Sequence, residues 1–236
     1  CLITYILAAA SPTHPIDAET YYKGWTRNGK YTSNNSKYGF PLIVKHNGAE
    51  EFGGPLFWSQ YSYLGLDPTG LSDKMVKNYF DRNRNHVLID YNYILNNPKN
   101  WKGYGKNYWG LTASYTRNPD GSTGYTAHSP DNDTGIISPT AALSSFPYTP
   151  KESMDFLRYI YTEKPEFIGV AGPYDATSIH YDNWFTPRYL AIDQGTISPM
   201  IENYRTGLLW KLFMNATDIQ QGLKKLSFKS EKYQIK

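Results

Sequence analysis

Asp193 and Gln194, followed by Gly195, stand just ahead of the stretch SPMIENYRTGLLWKLF, residues 198–213. Ser198–Pro199 reads as a helix start, a serine cap with proline in the first turn, where its missing N–H costs nothing. A carboxylate and an amide at such a mouth sit in a field that favours anionic charge. Asp193 is therefore read either as a group facing a ligand-binding funnel or as a plain capping residue. Trp58 and Tyr61 lie three apart, and Trp109 sits among glycine and polar residues. Tyr and Trp offer an apolar face and a hydrogen-bonding edge, which suits a sugar ring as well as a protein core. Trp109 is the best candidate for stacking.

His14 lies between two prolines in SPTHP, held either to donate to a ligand hydroxyl or to make a structural bond. Arg82, Asn83, Arg84 and His86 interrupt an apolar stripe of Val76, Phe80, Val87 and Tyr91. Buried polar groups need partners, so these residues line a funnel or form a solvated face. Glu202 and Arg205, three apart on one helix, read as a structural pair. Asp131 and Asp133 have calcium-type oxygens but too few further ligands, and a turn is favoured.

The elements that would position these groups are mainly helical. Residues 55–64, 140–146 and 199–213 read as apolar inner helices, and residues 73–95, 150–161 and 218–226 as more polar outer ones. Further starts are expected at Thr149–Pro150, with Glu152 completing a capping box, and at Thr186–Pro187. The helix from Ser72–Asp73 is closed by Asn96, Asn97 and Pro98. In the 199–213 helix, the apolar residues thicken to a stripe buried on most sides, and Gly207 is read as allowing close helix contact. Long polar loops fill residues 26–52, 99–135 and 163–183, lengths that usually carry function. Short strands are expected at residues 40–46 and 168–170, with a hairpin at 118–121.

Net charge is only +3, which with no basic run argues against nucleic acid. The single cysteine, Cys1, excludes an internal disulfide and a cysteine metal cage. Residues 2–10, LITYILAAA, read as the middle of a buried helix, too short to span a bilayer and without a basic signal-peptide start. The chain thus reads as a piece of a larger fold. Alternating inner and outer helices fit an α/α toroid.

Six phrases fall in one order: SPTHP (11–15), GGPLFW…YSYLGLDP (53–68), NRNH (83–86), WGLTAS (109–114), SPTAALSSFPYTPKESM (138–154) and AIDQG…MIENYRTGLLWKLF (191–213). Together they resemble the glucoamylase-like domain of glycoside hydrolase family 144, the β-1,2-glucanases. The resemblance covers nearly the whole chain. It implies an (α/α)6 toroid of which residues 1–236 form about the C-terminal half of a single domain. It also implies a funnel-shaped site, a β-glucan or oligosaccharide substrate, and a periplasmic or outer-membrane location. The general acid implied by the family is a glutamate just before the helix matching residues 1–10, so this piece alone is expected to be inactive without its N-terminal half. Departures from the family pattern are Gln60 in place of histidine, Tyr115 in place of aspartate, and Thr196 in place of proline.

Glycoside hydrolysis needs two carboxyl groups, about 6.5–9.5 Å apart when the configuration is inverted. With the acid expected upstream, Asp193 becomes the base of an inverting reaction. Gln194, Trp58, Tyr61, Gln60, His14, Arg84, His86 and Trp109 become substrate-contacting residues. Neither metal nor cofactor is required, since proton transfer and charge stabilisation lower the barrier. Two other classes stay open: a non-catalytic glycan-binding half-domain, and a polysaccharide lyase on the same toroid.

Overall fold

The computed structural model describes residues 1–46 and 48–235. Helices dominate, and the strands among the described residues pair only in twos. Two apolar clusters organise the chain.

The first cluster joins the two ends of the sequence. In the helix Leu2–Ala10, Leu2, Ile6 and Ala9 recur at helical spacing and are buried, while Leu7 stays half exposed. The expected buried helix is thus present, buried along one stripe. That stripe packs on the helix Thr217–Lys225, which buries Ile219, Gly222 and Leu223. A Cβ at Gly222 would lie 2.8 Å from the Ala10 backbone nitrogen, so glycine sets the approach of the two helices. Gly222→Val is expected to destabilise the fold by about 1–3 kcal/mol through overpacking. A fall in the urea midpoint at unchanged slope would show it.

The long helix Tyr79–Asn96 links both clusters. It starts later than the sequence implied, because the Asp73 carboxylate accepts from the Met75 and Val76 amides and from the Tyr21 and Tyr79 hydroxyls. Asn78 caps it instead, accepting from the Asp81 amide at 3.1 Å. It ends as expected, at Asn97 in the left-handed region with φ 41°. Its second half enters the other cluster, to which the helices Pro139–Leu143 and Pro150–Thr162 also contribute.

Asp90, on this helix, is buried. One oxygen accepts from the Leu111 amide at 3.3 Å and the other has no partner. Burial pushes its proton affinity well above the ordinary carboxylate range. The folded state therefore holds a proton that the unfolded chain releases above pH ~4, and stability from this group falls as pH rises. Relative to the natural protein, Asp90→Asn should gain in stability as pH rises above the ordinary carboxylate range, from pH ~4 upward. Paired urea titrations across that window test this.

Several expected elements differ. Residues 55–64 form two 3-10 turns, Leu56–Ser59 and Tyr61–Tyr63, rather than an α-helix. The Leu56 amide donates to the Leu111 carbonyl and the Phe57 amide to Thr112 Oγ1, so these early N–H groups hold the neighbouring segment. Helix Pro150–Thr162 begins at Thr149, yet no side-chain capping bond forms, because Thr149 Oγ1 donates to the Ser145 carbonyl. Thr186–Pro187 starts no helix; the strand Trp184–Phe185 precedes it and the next helix opens at Ala191.

The 199–213 helix is two pieces, Ile197–Thr206 and Leu208–Met214, with the short helix Ala191–Gln194 before them. Ser198 lies inside the first piece rather than capping it. Gly207 divides the pieces at φ 67°, a conformation that costs glycine little. A Cβ there would meet only the end of Lys211, so its role is the break and not close helix contact. Tyr204, Leu208 and Leu212 are exposed, so the stripe is not buried on most sides.

The polar region 99–135 holds the longest strands, Ala113–Arg117 and Thr123–Ala127, paired with Tyr115 opposite Tyr125. The expected hairpin turn lies between them, with Gly121 at φ 87°. Below it, Asp133 accepts from the Tyr93 and Tyr104 hydroxyls, the Trp101 indole and the Gly135 amide. Four donors leave this carboxylate a structural hub.

Candidate active site

Asp193 sits near the end of the helix Ala191–Gln194 with no exposed surface. The Tyr125 hydroxyl, arriving from the hairpin, donates to both carboxylate oxygens at 2.9 and 3.1 Å. The ring of Tyr125 is half exposed, so it roofs the carboxylate. The Asp193 carbonyl is held by Thr140 Oγ1 at 2.6 Å and Thr196 Oγ1 at 3.2 Å.

On the inner side lies Asp175, also buried. One of its oxygens accepts from the Tyr115 amide at 2.7 Å, and the other has no N–H or hydroxyl donor. The Asp193 carboxyl is the neighbouring acid whose charge and hydrogen bonding act on Asp175. Two carboxyls can bond only if one carries a proton. Burial, then the Asp193 charge and hydrogen bond, push Asp175 up to about 7, against the pull of the Tyr115 amide. Burial also raises Asp193, while its bonds from Tyr125 and Asp175 lower it. The two titrate as a pair.

Carboxyls in hydrogen-bond contact leave no room between them for a sugar and a water. The pair can supply one catalytic function, and a second carboxyl would have to come from elsewhere.

A separate cleft of about 270 Å³ is lined by Tyr5, Trp25, Tyr31, Lys45, His46 and Glu50, among others. Trp58 stands beside it, its ring centroid 3.7 Å from that of His46. Arg82 is buried beneath, donating to the Trp58 carbonyl, Ser59 Oγ and His46 Nε2. A guanidinium only donates, so His46 Nε2 accepts, and burial beside Arg82 keeps that ring neutral. The cleft thus combines the Trp25 indole, flanked by Trp58, with neutral and charged polar groups, a lining suited to a sugar ring.

The expected contact residues divide. Tyr61 is close to the carboxyl pair, its hydroxyl donating to the Ile192 carbonyl at 2.8 Å. Gln194 adjoins it too, but its amide is tied to the Pro173 carbonyl. Trp58 flanks the cleft through its contact with His46. Trp109 is fully buried, edge-on to Tyr91 with its indole donating to the Glu152 carbonyl at 3.3 Å. A ring with no accessible face cannot stack on glucose, so Trp109 is core.

Gln60 is likewise buried, donating to the Ala141 carbonyl and Ser145 Oγ, both at 2.9 Å. His86 donates from Nε2 to the Gly54 carbonyl, which leaves Nδ1 to accept from Ser59 Oγ at 2.7 Å. Burial pulls its proton affinity down to about 3, so it is a neutral structural ring. Arg84 is exposed on its helix. His14 is an exposed turn residue bonded to Thr13 and Ser11.

The Glycoamylase family, described as glucoamylase, matches residues 1–217. The chain belongs to this family. Among relatives, an exo beta-1,2-glucooligosaccharide sophorohydrolase (non-reducing end) of Parabacteroides distasonis is 40% identical over 245 residues, covering 95% of this chain and 32% of that protein. An endo-beta-1,2-glucanase from Chitinophaga pinensis, solved with sophorotriose and glucose, is 53% identical with TM-score 0.92, covering 99% of this chain and 55% of that one. A beta-1,2-glucanase structure from Parabacteroides distasonis is 39% identical with TM-score 0.85, covering 96% and 34%. The chain spans between a third and about half of the length of these relatives.

Within this glucoamylase-family chain, sequence reasoning missed Asp175, Tyr125, Trp25 and His46. Asp175 lies in a polar loop without a motif, and Tyr125 is one of 22 tyrosines. Arg82 was visible as a polar break in an apolar stripe.

Proposed function

We propose that this chain is the C-terminal part of an (α/α)6 glycoside hydrolase that cleaves β-1,2-glucan or its oligosaccharides with inversion. The observation that carries this reading is the 53% identity, over 99% of the chain and at TM-score 0.92, to an endo-beta-1,2-glucanase. Asp193 serves as the general base, with a proton affinity raised toward the working pH. In this reading the general acid comes from outside these residues, and Asp175, paired with Asp193, does not serve as it. Trp58 and Trp25 hold glucosyl units in the cleft, and no cofactor takes part.

The other half of the toroid, in this reading, covers exposed apolar side chains such as Leu7, Ile192, Leu208 and Leu212. No helix among the described residues is long and apolar enough to cross a membrane, and the enzyme is exported to the periplasm or outer membrane.

The test is reducing-sugar release from linear β-1,2-glucan by the chain alone and by the chain joined to an N-terminal half. Release is expected only with both halves. Binding without release by the joined protein would favour a glycan-binding module instead, and unsaturated products absorbing in the ultraviolet would favour a lyase.

A further inference from the structure

The groups around Asp193 have an arrangement that a capping residue would not need. A carboxylate that only closes a helix mouth would accept from the first backbone amides of that helix. Here the Asp193 carboxylate accepts from a tyrosine of a hairpin 68 residues away in sequence. Its other neighbour, Asp175, brings a second acid into a site where burying one already costs free energy. Asp175 is in turn fixed by the Tyr115 amide of the same hairpin.

We propose that Asp175 and Tyr125 are positioning residues for Asp193, Asp175 holding a proton against it from within and the Tyr125 hydroxyl occupying its lone pairs until a water or sugar hydroxyl takes that place. The inference rests on Asp193 being the base. Asp175 Oδ2 accepts from the Tyr115 amide and Oδ1 has no donor, so Oδ1 is the oxygen free to carry the proton shared with Asp193. That bond fixes the Asp193 carboxylate plane while leaving it able to accept a proton. From the other side, Tyr125 satisfies the carboxylate in the resting state. Its ring is half exposed, so a χ1 rotation toward solvent uncovers Asp193 without disturbing packed core.

The surrounding groups fit this division. Tyr61 approaches from the 3-10 turn Tyr61–Tyr63 and feels the negative charge of the pair. From the core helix, Thr140 bonds the Asp193 carbonyl and not its carboxylate. Arg188, downstream of the strand Trp184–Phe185, places its guanidinium over the Tyr115 ring, 5.6 Å from the centroid. The groups acting on the two carboxyls are thus each other, the Tyr125 hydroxyl and the Tyr115 amide.

Asp175→Asn and Tyr125→Phe separate the two roles. The amide introduced by Asp175→Asn would keep the acceptor for the Tyr115 amide and donate to Asp193 as the protonated acid does, so the fold should hold. Carbon-detected NMR titration of aspartate side-chain carboxyls reads the pair whether or not the chain is active. In the natural protein one carboxyl should titrate near pH 7, and Asp175→Asn should abolish that step. In the joined, active protein, Tyr125→Phe and Asp175→Ala, each removing a bond that favours the charged form of Asp193, should move the acid limb of kcat/KM up, while Asp175→Asn, which keeps a donor on Asp193, should leave that limb in place. An unchanged titration in Asp175→Asn, or an unmoved limb in both Tyr125→Phe and Asp175→Ala, would overturn the proposal. Absence of hydrolysis by the joined natural protein, with the near-neutral titration present and lost in Asp175→Asn, would instead leave the paired carboxyls standing and sink the reading of Asp193 as a base.

Discussion

Asp193→Asn is expected to lower kcat on β-1,2-glucan by about 10²–10⁴-fold, the range for losing a positioned general base. The substitution keeps an oxygen for the Tyr125 hydroxyl, so neither the roof nor the local fold should change. What disappears is a group able to take a proton. KM should move little, because the indoles at the cleft lie outside the altered site. Reducing-sugar assays on the joined protein, with thermal midpoints measured in parallel, check this result. Activity within a few-fold of the natural protein, at equal stability, would remove Asp193 from the reaction.

The second large effect concerns stability. Asp133→Ala should destabilise the fold by roughly 4 kcal/mol or more, since each buried donor left unpaired costs about 1–3 kcal/mol. Four donors converge on this carboxylate, from Tyr93, Trp101, Tyr104 and Gly135. They come from the long helix, the segment after it and the loop beneath the hairpin. Loss of Asp133 therefore unfastens the hairpin's support as well as its own turn. Urea unfolding at neutral pH gives the difference directly, and a loss below about 1 kcal/mol would show that water replaces the carboxylate. Asp133→Asn should fall between, because its amide keeps one acceptor but sets a donor against donors.

Part of this organisation is legible in the order of residues alone. Helical periodicity marks the segments Leu2–Ala10, Tyr79–Asn96, Pro150–Thr162 and Thr217–Lys225, because a repeating apolar spacing is local information. The Asn-Pro-Asp-Gly turn of the hairpin is legible for the same reason. The order of six phrases carries the family. Residues 55–64 depart from the expected helix as two 3-10 turns that break at Gln60, φ −121°, whose side chain is held by Ala141 and Ser145, partners far along the chain. Trp109 departs from the expected stacking role because loop composition around an indole says nothing about what covers it in space.

Local sequence chemistry determined those four helices and the turn, the ordered phrases carried the family by resemblance, and Asp193 stood out as a carboxylate worth attention. Only the tertiary structure decided what that carboxylate meets. Asp175 and Tyr125 reach it from 18 and 68 residues away, through a loop and a hairpin whose paths no short window contains. A proton shared between two acids depends on distance and burial, and both exist only after the chain has closed on itself.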